Sequence, residues 1–265
     1  MFSIHPSAQI HPTARLSVTE GHIGAGAVIR ENAVIEGQRV VIGRDAFIGR
    51  SAWIGGGSCH DPVAELTAGD FLHLGWNCQI NIARPVRIGH EVGLGVETKL
   101  FTHGAYLPAW DGFPAHWAGI TLGDRVWLPN AWVNPGVTIG SDVVVAAGSV
   151  VTRDLPAGCL AAGSPAAVRR AGAFPRVLTA EERLALFDRI FSEAEAIGRC
   201  ASGWTQEGEG GFRLIGGTVF DLDARRITGP ADAFTEILRN QLRRNGIRFR
   251  FEAVEGVYRP WSDGP

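Results

Sequence analysis

With 265 residues the chain can bury a real core, in one large domain with an appendage or in two modest ones, and disorder is excluded as a default. Its 25 basic and 27 acidic residues leave a net charge of −2, and Lys99 is the one lysine, so no nucleic-acid surface is expected. Cys59, Cys78, Cys159 and Cys200 stand far apart without CxxC or Cys/His metal spacing, which predicts reduced thiols, a cytoplasmic protein and no bound metal.

The opening segment, MFSIHPSAQIHP, lacks a basic region followed by an apolar run. No later stretch approaches the ~18 apolar residues of a membrane span, so neither secretion nor insertion is expected. What the opening does carry is a period. Ile4, Ile10 and Leu16, then Ile23, Ile29 and Ile35, then, after a one-residue slip at Val40-Val41, Ile42, Ile48 and Ile54 place a branched aliphatic at every sixth position. Ala27, Ala33, Ala46 and Ala52 follow such residues by four positions, which predicts one large inward slot and one tight inward corner per unit. A period of six fits neither a helix nor a long strand; it fits a short strand plus a tight turn, stacked on equivalent units as a solenoid. With three units to a coil, residues about eighteen apart should lie above one another at the ~4.8 Å strand spacing. A β-sandwich is the alternative, and its irregular intervals and longer alternating runs match less well.

Residues 55–65, GGGSCHDPVAE, interrupt the pattern, which resumes at Leu74, Ile80, Ile82, Ile88, Leu94 and Leu100. Residues 104–119, GAYLPAWDGFPAHWAG, mix turn formers with aromatics and read as a loop thrown out from a coil. Leu122, Leu128, Val133, Ile139, Val145 and Val151 then restore the period, with a short step between Leu128 and Val133. Beyond Pro175 the hexads stop. Thr179 and Glu182 have capping-box spacing and open a helix with Leu184, Phe187, Phe191 and Ala194 on one face. Residues 212–222 read as one or two strands. Pro230 opens a second helix bearing Phe234, Ile237, Leu238 and Leu242, and Gly246 stops it before Ile247, Phe249 and Phe251 alternate. Arg239, Arg243, Arg244, Arg248 and Arg250 form a solvated stripe or, alternatively, a site for a phosphate or anionic sugar. The expected organisation is mainly β: a parallel β-helix over 1–170 with the loop at 104–119, a helix and linker over 171–205, and a small α+β lobe over 206–265.

Residues 126–170, VWLPNAWVNPGVTIGSDVVVAAGSVVTRDLPAGCLAAGSPAAVRR, closely resemble the hexapeptide-repeat acyltransferases, above all the maltose/galactoside O-acetyltransferase and xenobiotic acetyltransferase groups. IHPTARL, residues 10–16, is similar to other members, and the resemblance extends over residues 1–170 with 72–170 the most specific part. It implies a left-handed β-helix working as a homotrimer with acetyl-coenzyme A, or another acyl-coenzyme A, as donor. The handedness comes from the resemblance alone, because parallel crossovers are generally right-handed. Transfer from a thioester needs a base, donors for the oxyanion and a groove for the coenzyme arm. The resemblance implies that His103, in LFTHGAYL, is the base and that the loop after it wraps toward a neighbouring subunit. It places Trp127 near the thioester and Asn130 on the coenzyme arm. Ala147, Gly148, Thr152 and Arg153 line the groove, where small residues leave room for pantetheine, and Arg169 and Arg170 add charge for a phosphate.

His116, in the loop, is a candidate for the acceptor pocket, and Glu97 and Asp111 are candidates to orient His103 or meet the acceptor. His5, His11, His22, His60, His73 and His90 read as structural. The asparagine and aspartate that bind the acceptor in sugar acetyltransferases align here with Gly75 and with Ile82 or Ala83, so a maltose-like acceptor mode is not expected. Leu128-Pro129 replaces the usual IG after the tryptophan. The activity expected is acyl transfer to a hydroxyl or amine of a carbohydrate or nucleotide sugar, in surface polysaccharide synthesis; N-acetylation of a small amine or antibiotic-like compound stays open. Two other classes share such a fold, a γ-carbonic-anhydrase-like zinc enzyme and a non-catalytic scaffold. The first needs H-x-x-x-x-H, and the fifth position after His90 is Gly95.

Overall fold

An aliphatic recurring every sixth residue can be buried only if each six-residue unit supplies one side of a closed coil, and that is how the first part of the chain folds. The computed structural model describes residues 1–261 and divides the chain into two compact units, Met1–Arg176 and the stretch from Val177 onward. In the first unit, rungs of two or three residues stack in parallel into three walls. On the first wall the inward ladder is Ile10, Ile29, Ile48, Leu74, Leu94 and Leu128. The second wall stacks Ile35, Ile54, Ile80, Leu100, Val133 and Val151. On the third the ladder is Ile23, Ile42, Ala68, Ile88, Leu122 and Ile139. These side chains form one continuous core with the corner residues Ala27, Ala33, Ala46 and Ala52, as the periodicity predicts. The architecture is a parallel β-helix, and the mainly β fold read from the sequence is the one observed.

The coils are not uniformly eighteen residues long. Ile10, Ile29 and Ile48 are nineteen apart, Leu74 and Leu94 twenty, and Trp127 and Val144 seventeen. In the early coils the extra residue rounds a corner inside the nine-residue strands Arg15–Ile23 and Val34–Ile42, so the second and third walls belong there to one twelve-stranded sheet. The short coil has a two-residue turn between Trp127–Leu128 and Ala131–Val133, where the preceding coil has four between Gly93–Leu94 and Lys99–Leu100. Pro129 occupies that turn, and this is the local reshaping foreshadowed by Leu128-Pro129. After the last coil, Leu160–Gly163 pairs antiparallel with Ala166–Arg170, and the hairpin ends the repeat.

The edge between the third and first walls carries a second ladder, made of polar groups. The backbone N–H of Arg44 donates to Asp70 Oδ1 (2.9 Å), that of Asp70 to His90 Nδ1 (3.0 Å), that of His90 to Asp124 Oδ1 (2.7 Å) and that of Asp124 to Ser141 Oγ (3.0 Å). Each side chain thus satisfies a corner N–H one coil below it. His90 is one link of this ladder, in keeping with its reading as a turn residue.

The second unit has its own core of Phe187, Phe191, Phe212, Phe220, Leu238, Leu242 and Tyr258, with Phe187 and Phe212 stacked at 3.6 Å. Its first helix, Ala180–Gly198, begins with the expected Thr179/Glu182 capping box. The second, Ala233–Arg244, does not open at Pro230, which ends the strand Arg226–Pro230. Asp232 is its N-cap, because its carboxylate can accept the Thr235 N–H, which a proline ring cannot do. The one or two strands expected within 212–222 prove to be two, Gly211–Leu214 and Val219–Asp221, inside a six-stranded antiparallel sheet. Of the alternating Ile247, Phe249 and Phe251, Phe251 alone lies in a strand, Phe251–Val254. In the arginine stripe, Arg239 is bound to Glu236, whereas Arg243, Arg244 and Arg250 are exposed.

Ile80 sits in the middle of the second wall's ladder and is 1% exposed, covered by Ile54 on one side and Leu100 on the other. Ile80→Ala should therefore cost about 2–5 kcal/mol through lost transfer energy and a residual cavity, read as a lower urea midpoint at unchanged slope.

Candidate active site

Alternation along a strand fixes which residues face out. In Gln79–Asn81, Ile80 points in, so Gln79 and Asn81 point out; one coil on, Leu100 points in and Lys99 points out. Past Leu100 the second wall ends. Thr102 is buried at the corner, and His103 starts the outgoing arm of the loop. The loop's return arm pairs with it antiparallel, His103 opposite Trp117 and Gly104 opposite His116.

His103 Nδ1 lies 3.1 Å from Asn81 Oδ1. The same oxygen accepts the Ala83 backbone N–H at 3.2 Å and the Thr102 hydroxyl. A backbone N–H can only donate, so the amide atom facing this corner is the oxygen, and an amide oxygen can only accept. The proton of the neutral imidazole therefore sits on Nδ1, and Nε2 keeps its lone pair for an incoming proton. The ring is also held flat: the indole of Trp117 stacks on it at 4.4 Å and 12°, and the Arg84 guanidinium caps that indole at 4.9 Å. Arg84 is anchored in turn by a 2.6 Å bond from Nη1 to the Ala83 carbonyl. The loop tip has no such cover from its own chain, with Tyr106 at 97% and Trp110 at 98% exposure.

The remaining residues singled out in the sequence fall into separate places. Trp127, Asn130, Ala147 and Gly148 gather at the edge between the first and second walls. There Asn130 Nδ2 donates to the Val96 carbonyl (2.9 Å) and the Gly148 N–H to the Asn130 carbonyl (2.7 Å). Gly148 has φ +73° and open space around a would-be Cβ, so a ligand can lie against bare backbone there. Thr152 and Arg153 are exposed on the other edge, the one that carries His103, two coils further along. Asp154, next in the same motif, accepts the Thr138 backbone N–H at 2.7 Å and holds the coil. Arg169 and Arg170 are exposed on the closing hairpin. His116 is exposed on the loop's return arm, its ring beside Gly136.

The orienting partner of His103 differs from both residues considered for it. Glu97 is an exposed corner residue at φ +62° on the opposite edge of the second wall, and Asp111 is exposed in the short 3-10 turn Ala109–Asp111 of the loop. Asn81 takes that place. It escaped the sequence reading because a coil was taken as eighteen residues, which puts residue 83 beneath 101. The Ile80–Leu100 register makes the coil twenty here and puts Asn81 beneath Phe101, at the foot of His103. Trp117 and Arg84 had no signal in a period of six. Among the described residues, no three His, Cys, Asp or Glu side chains converge as a metal site requires. No helix is long and apolar enough to cross a membrane.

No family model matches the chain. Among curated proteins it is 32% identical to the galactoside O-acetyltransferase of Escherichia coli over 121 residues, 42% of this chain and 59% of that protein. It is 34% identical to a putative colanic acid biosynthesis acetyltransferase of the same species over 107 residues, 40% of this chain and 58% of that one. A putative acetyltransferase of Schizosaccharomyces pombe is 40% identical over 98 residues, 34% of this chain and 45% of the relative. The chain thus spans about half the length of the curated relatives it matches, and these are acetyltransferases, the group that residues 126–170 resemble. Solved structures similar to it include a galactoside acetyltransferase in complex with coenzyme A, at 27% identity and TM-score 0.43, covering 51% of this chain and 64% of that one. A hexapeptide-repeat acetyltransferase of Vibrio cholerae complexed with acetyl-coenzyme A is 27% identical with TM-score 0.39, covering 48% and 67%.

The bond from His103 to Asn81 has a direct spectroscopic consequence. Asn81→Ala should release the Nδ1–H constraint, and the neutral ring, nearly pure Nδ1–H tautomer in the native chain, should become a mixture with Nε2–H. Long-range ¹H–¹⁵N correlation of the imidazole reads this, and an unchanged tautomer ratio would refute the assignment.

Proposed function

We propose that the chain is a left-handed β-helix acyltransferase that moves an acetyl group from acetyl-coenzyme A directly to a hydroxyl or amine of a carbohydrate or nucleotide-sugar acceptor, with His103 as general base and a homotrimer as the working unit. The observation that carries this is the fixed tautomer: Asn81 holds the proton on Nδ1, so Nε2 is left able to accept one. His103 Nε2 takes the acceptor's proton as the acceptor oxygen or nitrogen bonds to the thioester carbonyl carbon, and it gives a proton to the sulfur as the carbon–sulfur bond breaks. The products are acetylated acceptor and free thiol, and the imidazole ends neutral. Trp127, Asn130, Ala147 and Gly148 offer an aromatic face and a small-residue edge suited to a pantetheine arm, and Arg153, Arg169 and Arg170 offer charge for its phosphates.

The trimer is supported by where these groups stand. His103 and the Gly148 corner are at opposite edges of the second wall, with the three-residue strand Ser149–Val151 between the edges and two coils between their levels, so they stand more than about 10 Å apart. Reacting atoms must approach to about 3–3.5 Å. A base at one edge of one chain facing a donor groove at the other edge of its neighbour would remove that separation, with the exposed loop tip free to reach across. Carbohydrate acceptors are favoured by the two curated relatives named for galactoside and colanic acid chemistry. Tyr106 and Trp110 offer flat faces of the kind sugars stack on. An amine acceptor would use the same base. Dependence on acetyl-coenzyme A supports a cytoplasmic location.

His103→Ala should lower kcat/KM for acetyl transfer by roughly 10²–10⁴-fold while leaving acetyl-coenzyme A affinity unchanged, measured by thiol release with galactoside and amino-sugar acceptors and by calorimetry. Full activity in that variant would refute the base. Light scattering should give three times the chain mass of 28.4 kDa, and a fully active monomer would refute the shared site.

A further inference from the structure

The outward row of the first wall runs Phe47, His73, Gly93, Trp127 and Val144. Gly93 is the one residue in that row without a side chain, and its own backbone, in the strand Gly93–Leu94 with no positive φ, does not require glycine. The requirement comes from Trp127. A Cβ on Gly93 would lie 2.5 Å from Cε3 and 2.8 Å from Cζ3 of the indole, closer than carbon atoms approach. The ring therefore does not project at the level of its own coil; it is laid back one coil, over Gly93. The coil that starts at Gly93 passes through Leu94, Lys99 and Leu100 and ends at His103. The indole consequently overlies the coil whose backbone reaches His103 at the end of its second wall, while the two residues stand at different edges of the chain.

We infer that Gly93 is a positioning residue that sets the axial level of Trp127 to that of His103. In a trimer whose prism axes run parallel, equivalent levels coincide in all subunits, so the indole of one subunit lies level with the imidazole of the next. It there forms a wall for the sulfur end of the bound acyl donor. This rests on the acyltransferase reading above. A methyl group at position 93 would lift the ring by up to one coil spacing, ~4.8 Å, away from the thioester. Trp127 is 42% exposed, so the ring has open space to turn into and Gly93→Ala is expected to fold.

The test is a double-mutant cycle read in steady-state kinetics. Gly93→Ala should raise the KM for acetyl-coenzyme A roughly tenfold with kcat within about twofold of native. In a Trp127→Ala background the same substitution should change neither constant, because the ring it displaces is gone. A native KM in Gly93→Ala, or an equal loss in both backgrounds, would overturn the inference. A second measurement leaves Gly93 intact and covers the case of a variant that does not fold. In protein labelled with 5-fluorotryptophan, the Trp127 resonance, assigned by its loss in Trp127→Phe, should differ between complexes with coenzyme A and with the inert thioether acetonyl-coenzyme A, which differ at the sulfur end alone. Identical resonances with both ligands bound would sink the positioning role and spare the acyltransferase reading. Failure of the native protein to bind either ligand would sink that reading and this inference together.

Discussion

Every rung of the β-helix depends on the rungs directly above and below it. A two-residue strand such as Gly93–Leu94 cannot hold itself extended; it is held because Leu94 is covered by Leu74 and Leu128 and because its backbone groups pair in both directions. The aliphatic ladder supplies the hydrophobic term, and the interstrand bonds leave few buried N–H or C=O groups unpaired. The corners would be the weak points of such an arrangement, since turn amides face outward and lie off the walls. At the edge between the third and first walls, Asp70, His90, Asp124 and Ser141 meet this by accepting those amides from one coil below. The same column explains a histidine with no catalytic partner: His90 Nδ1 is occupied as an acceptor.

A frame of this kind is rigid along its walls and permissive at its corners, and so the chemistry collects where a coil is interrupted. The loop of residues 104–119 leaves at the edge of the second wall, and its two arms pair at their base. His103 is the first residue of that pairing, so its backbone belongs to both the frame and the loop. Its side chain is clamped between a residue of each: Asn81 from the coil beneath and Trp117 from the returning arm. An imidazole fixed in this way has little freedom left to lose, and in the proposed reaction that is the entropic part of what a positioned base contributes.

The repeat was legible because inward residues must be branched and bulky at one slot and small at another, and Ile23, Ala27, Ile29 and Ala33 obey both rules in order. His103 stood out through the resemblance and through its place at the end of the periodic run, and the structure puts it where the loop leaves the frame. Its orienting partner was not, because contacts between coils depend on coil length, and a period of six does not reveal where a coil gains a residue. The twenty-residue step from Ile80 to Leu100 moves Asn81 under the corner, and a count of eighteen puts an alanine there instead. The second unit was legible where local rules suffice, as at the Thr179–Glu182 box. It was misread at Pro230, where a strand from elsewhere in the sheet claimed the proline and the cap passed to Asp232. Strand Val257–Pro260 pairs at long range with Arg226–Pro230, and the short local hairpin of Trp204–Glu207 with Gly211–Leu214 left no periodic trace.

The geometry of the second wall bears on the proposed trimer. Its outward row includes Trp53 and Trp132, both more than a third exposed, with Lys99 Nζ 4.8 Å over the Trp132 ring and Glu36 accepting from the Trp53 indole N–H at 3.0 Å. Half-exposed tryptophans partly shielded by charges suit a surface that the proposed trimer would cover, since aromatic residues are enriched in interface cores. The same wall separates the imidazole edge from the small-residue edge. Association through it would bring the two edges of neighbouring chains together, so the surface that favours assembly is also the surface across which one chain alone is too wide to complete a site.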